Sequence, residues 1–268
     1  MKLNDGYASA WLAPAEAPQV RQNEIHLWRA FLDLPLANGF GQFLSADEIQ
    51  RANRFYRACD RQRYVAARDL LRSILSLYVG DDPQNLRFTY GSHGKPALLA
   101  STSGLSTDVR FNLSHSGGLA LYAFARGREV GVDVEEIREI PDADAVSKRF
   151  FSGVECRALQ SLPDQKRAAG FFRCWTRKEA YVKGIGTGLS HPLDSFNVWG
   201  TDTPVLLRRP DEPSMPWRLY DVYPARGFTG AIAVEGDPVR LSFFQHSYPP
   251  PTRKLMTAHV RASGLTII

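Results

Sequence analysis

Apolar and polar residues alternate along residues 129–135, the pattern of a strand with one buried and one polar face. Its valines would face a core, whereas Asp133 and Glu135 emerge together on the other side. Two carboxylates held side by side repel each other unless a positive charge lies between them. A divalent cation that prefers oxygen ligands is the usual solution, so this strand predicts part of a metal site.

The N-terminal part of the chain predicts one strand followed by helices. Residues 24–29 largely alternate between polar and apolar and predict the strand. Ser45 and Glu48 form an S-x-x-E capping box, and apolar residues then recur at helical spacing as far as Gly80, which predicts two consecutive helices. The other helix face is rich in arginine: Arg51, Arg54, Arg57, Arg61, Arg63, Arg68 and Arg72. We expect most of these arginines to be solvated and one or two to bind phosphate.

The middle of the chain predicts short strands joined by turns. The predicted strands cover residues 86–90, 111–113, 120–125 and 129–135. Residues 126–128 predict a turn that joins the last two strands. Residues 91–96 predict another turn, which presents Lys95 between a glycine and a proline. That turn lacks the glycine spacing and the hydroxyl residue of a Walker A loop.

The C-terminal part begins with helices and ends with strands. Short helices are predicted between residues 143 and 162, with a break at Ser152 and Gly153. A long helix is predicted over residues 166–183, ended by the spaced glycines that begin at Gly184. Further strands are predicted at residues 195–198, 205–208, 217–222, 229–234 and 239–244.

Because both halves mix strands with helices, the pattern predicts an α+β protein of two similarly sized lobes. The predicted divisions are an N-terminal arm at 1–22, an N-terminal lobe at 23–127, a C-terminal lobe at 128–247 and a tail at 248–268.

Composition narrows the class of protein. Hydrophobic residues make up 44% and charged residues 23% of the 268 positions, which is ordinary for a soluble globular protein. The three cysteines form no C-x-x-C pair, which argues for a reducing compartment and against a zinc site. Neither a signal peptide nor a membrane-spanning run is recognised, so we expect a cytoplasmic protein. The net charge of +5 mildly favours anionic ligands or an acidic partner.

Within the long predicted helix, Trp175, Glu179 and Lys183 follow one another at intervals of four residues and share one stripe. Taken alone, Glu179 and Lys183 would be an ordinary helical ion pair, with Trp175 in the core. Beside Asp133 and Glu135, however, Glu179 supplies a third carboxylate.

Two motifs resemble those of the 4′-phosphopantetheinyl transferase superfamily. They are Gly131-Val132-Asp133-Val134-Glu135 and, about forty residues later, Trp175-Thr176-Arg177-Lys178-Glu179-Ala180-Tyr181-Val182-Lys183. Other stretches are similar to the Sfp-type branch: Phe111-Asn112-Leu113-Ser114-His115-Ser116, Gly94-Lys95-Pro96, and Arg54-Phe55-Tyr56 with Arg63. The resemblance extends from about residue 45 to residue 198.

The resemblance implies a monomer of two pseudo-symmetric α+β lobes, with the active site in the cleft between them. Asp133, Glu135 and Glu179 would be ligands of Mg²⁺, and Glu179 could also be the general base. The implied catalytic residues are Asp133, Glu179 and Lys183. The implied reaction transfers the phosphopantetheine arm of coenzyme A to a serine of an apo acyl or peptidyl carrier protein, releasing 3′,5′-ADP.

Basic and polar residues of the matching motifs would bind coenzyme A in such a protein. These residues are Arg51, Arg63, Lys95, Ser114, His115, Lys178 and Lys183. Glu48 departs from the pattern, because some relatives carry a basic residue there, which would leave the phosphate clamp one cation short. The carrier is expected to dock near residues 137–162.

Two other functions are open to these residues, and a third is disfavoured. A divalent-metal phosphohydrolase could use the same acids on a nucleotide or phosphodiester, with water as the nucleophile. An anion- or nucleic-acid-binding module could be built on the arginine-rich helices, but binding alone does not call for three carboxylates. A hydrolytic triad at Ser114 and His115 lacks the G-x-S-x-G turn. The remaining histidines have no metal-ligand spacing and are expected to be surface or packing residues: His26, His93, His191, His246 and His259. We expect no nucleic-acid or membrane partner.

Overall fold

The computed structural model describes residues 11–14, 17–33, 41–99, 108–200, 205–207 and 215–246. The helices in these ranges are α1 (Ala46–Ala52), α2 (Ala58–Val79), α3 (Ala143–Phe150), α4 (Gly153–Gln160) and α5 (Asp164–Ile185). The strands are β1 (Glu24–Phe31), β2 (Phe88–Tyr90), β3 (Pro96–Leu98), β4 (Val109–Ser116), β5 (Leu119–Arg126), β6 (Val130–Glu136), β7 (Val205–Leu207), β8 (Trp217–Val222), β9 (Phe228–Glu235) and β10 (Arg240–His246). The predicted α+β class is confirmed.

The strands form two four-stranded sheets and a small hairpin. The first sheet has the order β10-β1-β5-β4, the second has the order β6-β9-β8-β7, and β2 pairs with β3. Strand β10 runs parallel to β1, so the chain returns to the first sheet after building the second. The strands of residues 128–247 therefore contribute to both sheets.

The molecule has four layers, in the order α2, first sheet, second sheet and α5. Strand β5 lies in the middle of this arrangement, because both of its faces are buried. One set of alternate residues, including Tyr122 and Phe124, packs with α2. The other set, including Leu119 and Leu121, packs against the valines of β6 in the core between the sheets. Helix α5 covers the opposite face of the second sheet.

Several predicted helix ends are confirmed in the described structure. The backbone N–H of Ser45 donates to the Glu48 carboxylate at 3.0 Å, as a capping box requires. Helix α2 ends at Gly80, where φ is +74°. Helix α5 continues two residues further than predicted, to Ile185, and ends at Gly186 with φ of +75°.

Two predicted strand arrangements are wrong. Residues 126–128 do not close a hairpin, because β5 and β6 lie in different sheets and β5 pairs with β4 instead. Residues 195–198 do not form a strand, because helical side chains bind their backbone. The Glu155 carboxylate accepts from Val198 N at 2.7 Å, and Lys178 Nζ donates to Phe196 O at 2.8 Å.

Part of the sequence prediction lies outside the described residues. This applies to the tail at 248–268, to most of the arm at 1–22 and to the end of the strand predicted at 205–208. Residue Leu12 of the arm is described, and its N–H donates to Phe243 O at 3.3 Å. None of the described helices is both long enough and apolar enough to cross a membrane.

Gly131 sets the distance between β6 and α5. A Cβ atom at this position would lie 2.0 Å from Ala180 O and 2.4 Å from Gly184 N. Such contacts are with backbone atoms, which cannot rotate away as a side chain can. Only glycine therefore lets α5 approach β6 closely enough for their polar side chains to meet.

We expect Gly131→Ala to lower the free energy of unfolding by about 3 kcal/mol, at the upper end of typical overpacking costs. Gly153→Ala is the matched control, because its Cβ would meet only an Arg157 side-chain nitrogen at 3.4 Å, at the start of α4. Urea denaturation of both variants measures the effect. A Gly131→Ala variant as stable as Gly153→Ala would contradict the packing argument.

Candidate active site

Polar side chains join the neighbouring edges of the two sheets. Strand β4 is an edge of the first sheet and β6 is an edge of the second. The N–H of Val132 donates to Asn112 Oδ1 at 2.9 Å, and Ser114 Oγ donates to Asp133 Oδ1 at 2.8 Å. Ser116 Oγ donates to Glu135 Oε2 at 2.6 Å. Because alternate residues of a strand share one face, β4 orients both acids of β6.

Helix α5 brings a cation to the same place. Lys183 Nζ lies 2.6 Å from Asp133 Oδ1 and 3.0 Å from Ser114 Oγ. Asp133 is buried, whereas Lys183 remains partly exposed. Helix α5 therefore adds Lys183 to the hydrogen bond that joins the two sheets. The motif of β6 and the motif of α5 lie in contact here, as predicted.

We call the place where β4, β6 and α5 meet, around Asp133, the seam. Two carboxylate oxygens at the seam have no hydrogen-bond partner among the described residues. They are Asp133 Oδ2 and Glu179 Oε1, and both are buried. Burial raises the pKa of Glu179, as does repulsion from Asp133 and Glu135, against the opposing effect of Lys183. Burial likewise raises the pKa of Glu135, which Ser116 partly offsets and the Asp133 charge reinforces. Lys183 therefore compensates only part of the negative charge of these carboxylates.

A cleft of about 370 Å³ adjoins the seam. Several predicted ligand-binding residues line it: Arg51, Lys95, Ser114, His115 and Lys183. Lys95 Nζ donates to Glu129 Oε2 at 2.6 Å and to Gly184 O at 2.7 Å, which holds it beside the end of α5. The structure thus brings these five together in one basic cleft.

Known proteins are similar in sequence to this chain over most of its length. A model described as "4'-phosphopantetheinyl transferase superfamily" matches residues 129–233, and one described as "4'-phosphopantetheinyl transferase, N-terminal" matches residues 37–126. The 4'-phosphopantetheinyl transferase HetI of Nostoc sp. is 40% identical over 229 residues, covering 84% of this chain and 94% of that protein. The chain belongs to the 4′-phosphopantetheinyl transferase superfamily.

A second relative supports the Sfp-type assignment. The 4'-phosphopantetheinyl transferase Sfp of Bacillus subtilis is 31% identical over 204 residues, covering 74% of this chain and 88% of that protein. The protein is therefore a phosphopantetheinyl transferase of the Sfp type, as its motifs predicted.

Two predicted coenzyme A ligands are not among the residues lining the cleft. Arg63 binds the Asp33 carboxylate with two hydrogen bonds, of 2.6 and 2.7 Å, and is not among the residues lining the cleft. Lys178 is fully buried and lies 2.8 Å from Glu155 Oε2, with a further bond of 2.6 Å to Leu193 O. Adjacent helical residues point in different directions, so Glu179 faces the acids while Lys178 ties α5 to α4.

Other cleft residues were not predicted. Arg68 and Tyr90 line the cleft, and so does His93, whose Nε2 lies 3.0 Å from Ser190 Oγ. The sequence placed Arg68 in a solvated helix face and His93 in an ordinary turn. The sequence held no signal that singled out Arg68, because only the fold places Glu48 beside it.

His115 lies in the wall of the cleft. Reduced hydration in the cleft lowers its pKa, and repulsion from Lys183 and Arg63 lowers it further. The ring is therefore held mainly neutral near neutral pH. A bound phosphate would favour its protonated form.

We expect Glu179→Gln to stabilise the transferase near pH 7.5 without added metal. The folded-state pKa of Glu179 is raised above its ordinary 4.5, so the folded protein holds this proton more tightly than the unfolded chain. The free energy of unfolding therefore falls as the pH rises from about 4.5 through the folded-state pKa, and replacing the carboxylate removes this loss of stability. A Tm increase of about 2–4 °C corresponds to roughly 1 kcal/mol.

Thermal unfolding across a pH series measures this difference, with exposed Glu139→Gln as the control. The gap between Glu179→Gln and the wild type should shrink as the pH falls below about 4.5, where the wild-type carboxyl becomes protonated in both states. A variant less stable than wild type near pH 7.5, or a gap independent of pH, would disprove the repulsion.

Lys178 and Lys183 are expected to differ when replaced by methionine. Lys178→Met leaves Glu155 buried and unpaired, which should cost about 3–5 kcal/mol of stability while folded enzyme keeps its KM for coenzyme A. Lys183→Met should remain folded but lose at least about 100-fold in turnover, through loss of the cation beside the buried acids. Urea denaturation and steady-state kinetics separate the two. If Lys178→Met had unchanged stability and a raised KM, Lys178 would instead be a ligand of coenzyme A, and the structural role given to it here would be wrong.

Proposed function

We propose that this enzyme transfers the 4′-phosphopantetheine arm of coenzyme A to a serine of an apo acyl or peptidyl carrier protein, with Mg²⁺ as its metal. The observation that carries the proposal is the pair of buried, unpartnered oxygens, Asp133 Oδ2 and Glu179 Oε1, beside Lys183. These oxygens adjoin a basic cleft suited to the phosphates of coenzyme A.

The acids of the site fit Mg²⁺ better than they fit a metal whose ligands all come from the protein. Among the described residues, no group of three or more His, Cys, Asp or Glu side chains gathers tightly enough to hold a metal ion. Mg²⁺ characteristically binds one or two carboxylates and completes its shell with water and substrate phosphates. Asp133 and Glu179 would hold it, with Glu135 as a further ligand. When bound, it would neutralise charge on the pyrophosphate oxygens.

The chain's own groups then account for the transfer. The serine Oγ of the carrier bonds to the β-phosphorus of coenzyme A, and the bond from that phosphorus to the bridging oxygen of the α-phosphate breaks. The serine proton passes to Glu179, whose raised pKa suits a general base. Lys183 stabilises negative charge developing on the phosphate oxygens. The phosphopantetheine remains on the carrier, and 3′,5′-ADP leaves.

A carrier surface is available on α3 and α4. Phe150 packs edge-on against Trp175 with ring centres 5.6 Å apart, and Phe151 is buried, so both belong mainly to the core. Val154 is exposed and has basic neighbours on the same two helices, Lys148, Arg149 and Arg157. This surface suits an acidic helical carrier, which supports the docking region proposed at residues 137–162. We propose further that the enzyme acts as a monomer in the cytoplasm.

Incubation with Mg²⁺, coenzyme A and an apo carrier should add one phosphopantetheine to the carrier, as measured by intact-protein mass spectrometry. Asp133→Asn and Glu179→Gln should each lower the rate at least about 100-fold, whereas the exposed control Asp237→Asn should not. Chelation of Mg²⁺ should stop the reaction.

Two outcomes would contradict the proposed function. The first is no mass gain with several acyl and peptidyl carriers. The second is release of 3′,5′-ADP at the full rate without any carrier, which would indicate a phosphohydrolase that uses water as the nucleophile.

A further inference from the structure

A threonine hydroxyl is buried in the second sheet without a partner. Thr229 lies near the start of β9 and is 2% exposed. Its Oγ1 has no hydrogen-bond partner among the described residues. Buried polar groups are nearly always hydrogen-bonded, because a bond left unmade costs the desolvation of the group. This hydroxyl therefore calls for a partner.

Strand pairing places Thr229 beside Glu135. The two residues are directly opposite each other in the antiparallel register of β6 and β9. Residues paired in this way point to the same face of a sheet, with Cβ atoms roughly 4.5–5.5 Å apart. Asp133 is likewise opposite Ala231, which packs in the core beneath α5. Thr229 therefore points to the α5 side of the sheet, where the acids lie.

The Glu135 carboxylate is held from one side only. Ser116 Oγ of β4 donates to Glu135 Oε2 at 2.6 Å, whereas no hydrogen bond between described residues involves Glu135 Oε1. Asp133 repels this carboxylate, and Lys183 attracts it. The bond from Ser116 holds Glu135 towards the first sheet, so the other oxygen is left to accept a bond from the second.

A cavity beside Thr229 offers the alternative partner, a water molecule. The cavity has a volume of about 60 Å³ and is lined by Thr229 together with Ile137, Cys174 and Trp199. Such a volume can hold a water, but a buried water typically makes about three hydrogen bonds. Because the cavity surface is mainly apolar, Glu135 is a better partner for the hydroxyl than a water.

We propose that Thr229 is a positioning residue for Glu135, and that its hydroxyl donates to this carboxylate when a divalent cation is bound at the seam. The inference rests on the proposed function, in which Glu135 is a further ligand of Mg²⁺. Carboxylates that bind a metal are themselves hydrogen-bonded, which fixes their orientation. With the repulsion from Asp133 neutralised, Glu135 is held from both sides, by Ser116 of the first sheet and Thr229 of the second.

Titration with Mn²⁺ in the presence of coenzyme A and without a carrier tests the proposal, with free Mn²⁺ measured by electron paramagnetic resonance. Thr229→Val removes the hydroxyl and nearly keeps the shape of the side chain. It should raise the Kd for Mn²⁺ by about 10-fold to 100-fold, the usual effect of losing a hydrogen bond to a metal ligand. Thr229→Ser keeps the hydroxyl and should retain most of the wild-type affinity.

Thr176→Val is the matched control. Thr176 is also buried, but its hydroxyl already donates to Arg173 O at 3.2 Å within α5. Without metal, Thr229→Val should raise the Tm by about 2–4 °C, because it removes a buried hydroxyl that has no partner. Thr176→Val should lower the Tm and leave the Kd for Mn²⁺ unchanged. A lower Tm of metal-free Thr229→Val would show that the hydroxyl is already bonded and would overturn the proposal.

A Glu135→Ala background shows whether Thr229 acts through Glu135. There, Thr229→Val should change the Kd for Mn²⁺ by less than about 2-fold, because both substitutions remove the same interaction. Equal weakening of Mn²⁺ binding in the two backgrounds would overturn the proposal, and so would a Kd that Thr229→Val leaves at the wild-type value. If Thr229→Val does not fold, Thr229→Ala set against Thr229→Ser makes the same comparison.

The Mn²⁺ titration separates this proposal from the proposed function, because no carrier takes part in it. Weaker Mn²⁺ binding by Thr229→Val would support the role of Thr229 even if no carrier were modified. Transfer to a carrier by the wild type, together with wild-type Mn²⁺ affinity in Thr229→Val, would overturn the role of Thr229 and leave the proposed function standing.

Discussion

The ion pair between Asp133 and Lys183 is the contact on which the site depends. It joins β6 to α5 at 2.6 Å, and Ser114 of β4 hydrogen-bonds to both partners. The contact exists only because Gly131 lets the helix lie against the strand. One glycine, one acid and one lysine thus fix the relative positions of an edge strand and a helix. Three distant segments of the chain meet there.

The site is held together against electrostatic cost. Burial raises the pKa values of Glu135 and Glu179, and each carboxylate repels its neighbours. Lys183 relieves part of this cost, and the serines of β4 supply hydrogen bonds to Asp133 and Glu135. The unpaired oxygens of Asp133 and Glu179 remain. In the proposed function a divalent cation and its substrate would satisfy them, so ligand binding and local stability are coupled.

Much of this arrangement could be predicted from local patterns. Alternation predicted that the valines of β6 face a core while Asp133 and Glu135 face away, and helical spacing predicted the shared stripe of Glu179 and Lys183. The capping box at Ser45 and the end of α2 at Gly80 follow from backbone chemistry that neighbouring residues determine.

The features that the sequence did not predict depend on contacts between distant residues. The return of β10 to β1 and the separation of β5 from β6 are choices of pairing partner, which alternation alone does not specify. Lys178 carries a family motif position, yet Glu155 and backbone carbonyls capture it because it points away from the cleft. Arg68 was grouped with solvated arginines, because only the fold shows that Glu48 lies between it and Arg72.

The same contacts bear on the alternatives. Part of the arginine-rich surface is not free for nucleic acid, because Arg63 is paired with Asp33 and Arg72 is buried against Glu48. The proposed transferase instead uses its cations at one cleft, beside the acids.

A crystal structure with coenzyme A and Mn²⁺ in place of Mg²⁺ would test the central claim most directly, because anomalous scattering locates the metal. The account predicts one anomalous peak bonded to Asp133 Oδ2 and Glu179 Oε1, with the pyrophosphate of coenzyme A completing the metal shell and contacting Lys183. A peak elsewhere, or coenzyme A bound with its pyrophosphate away from these residues, would contradict it.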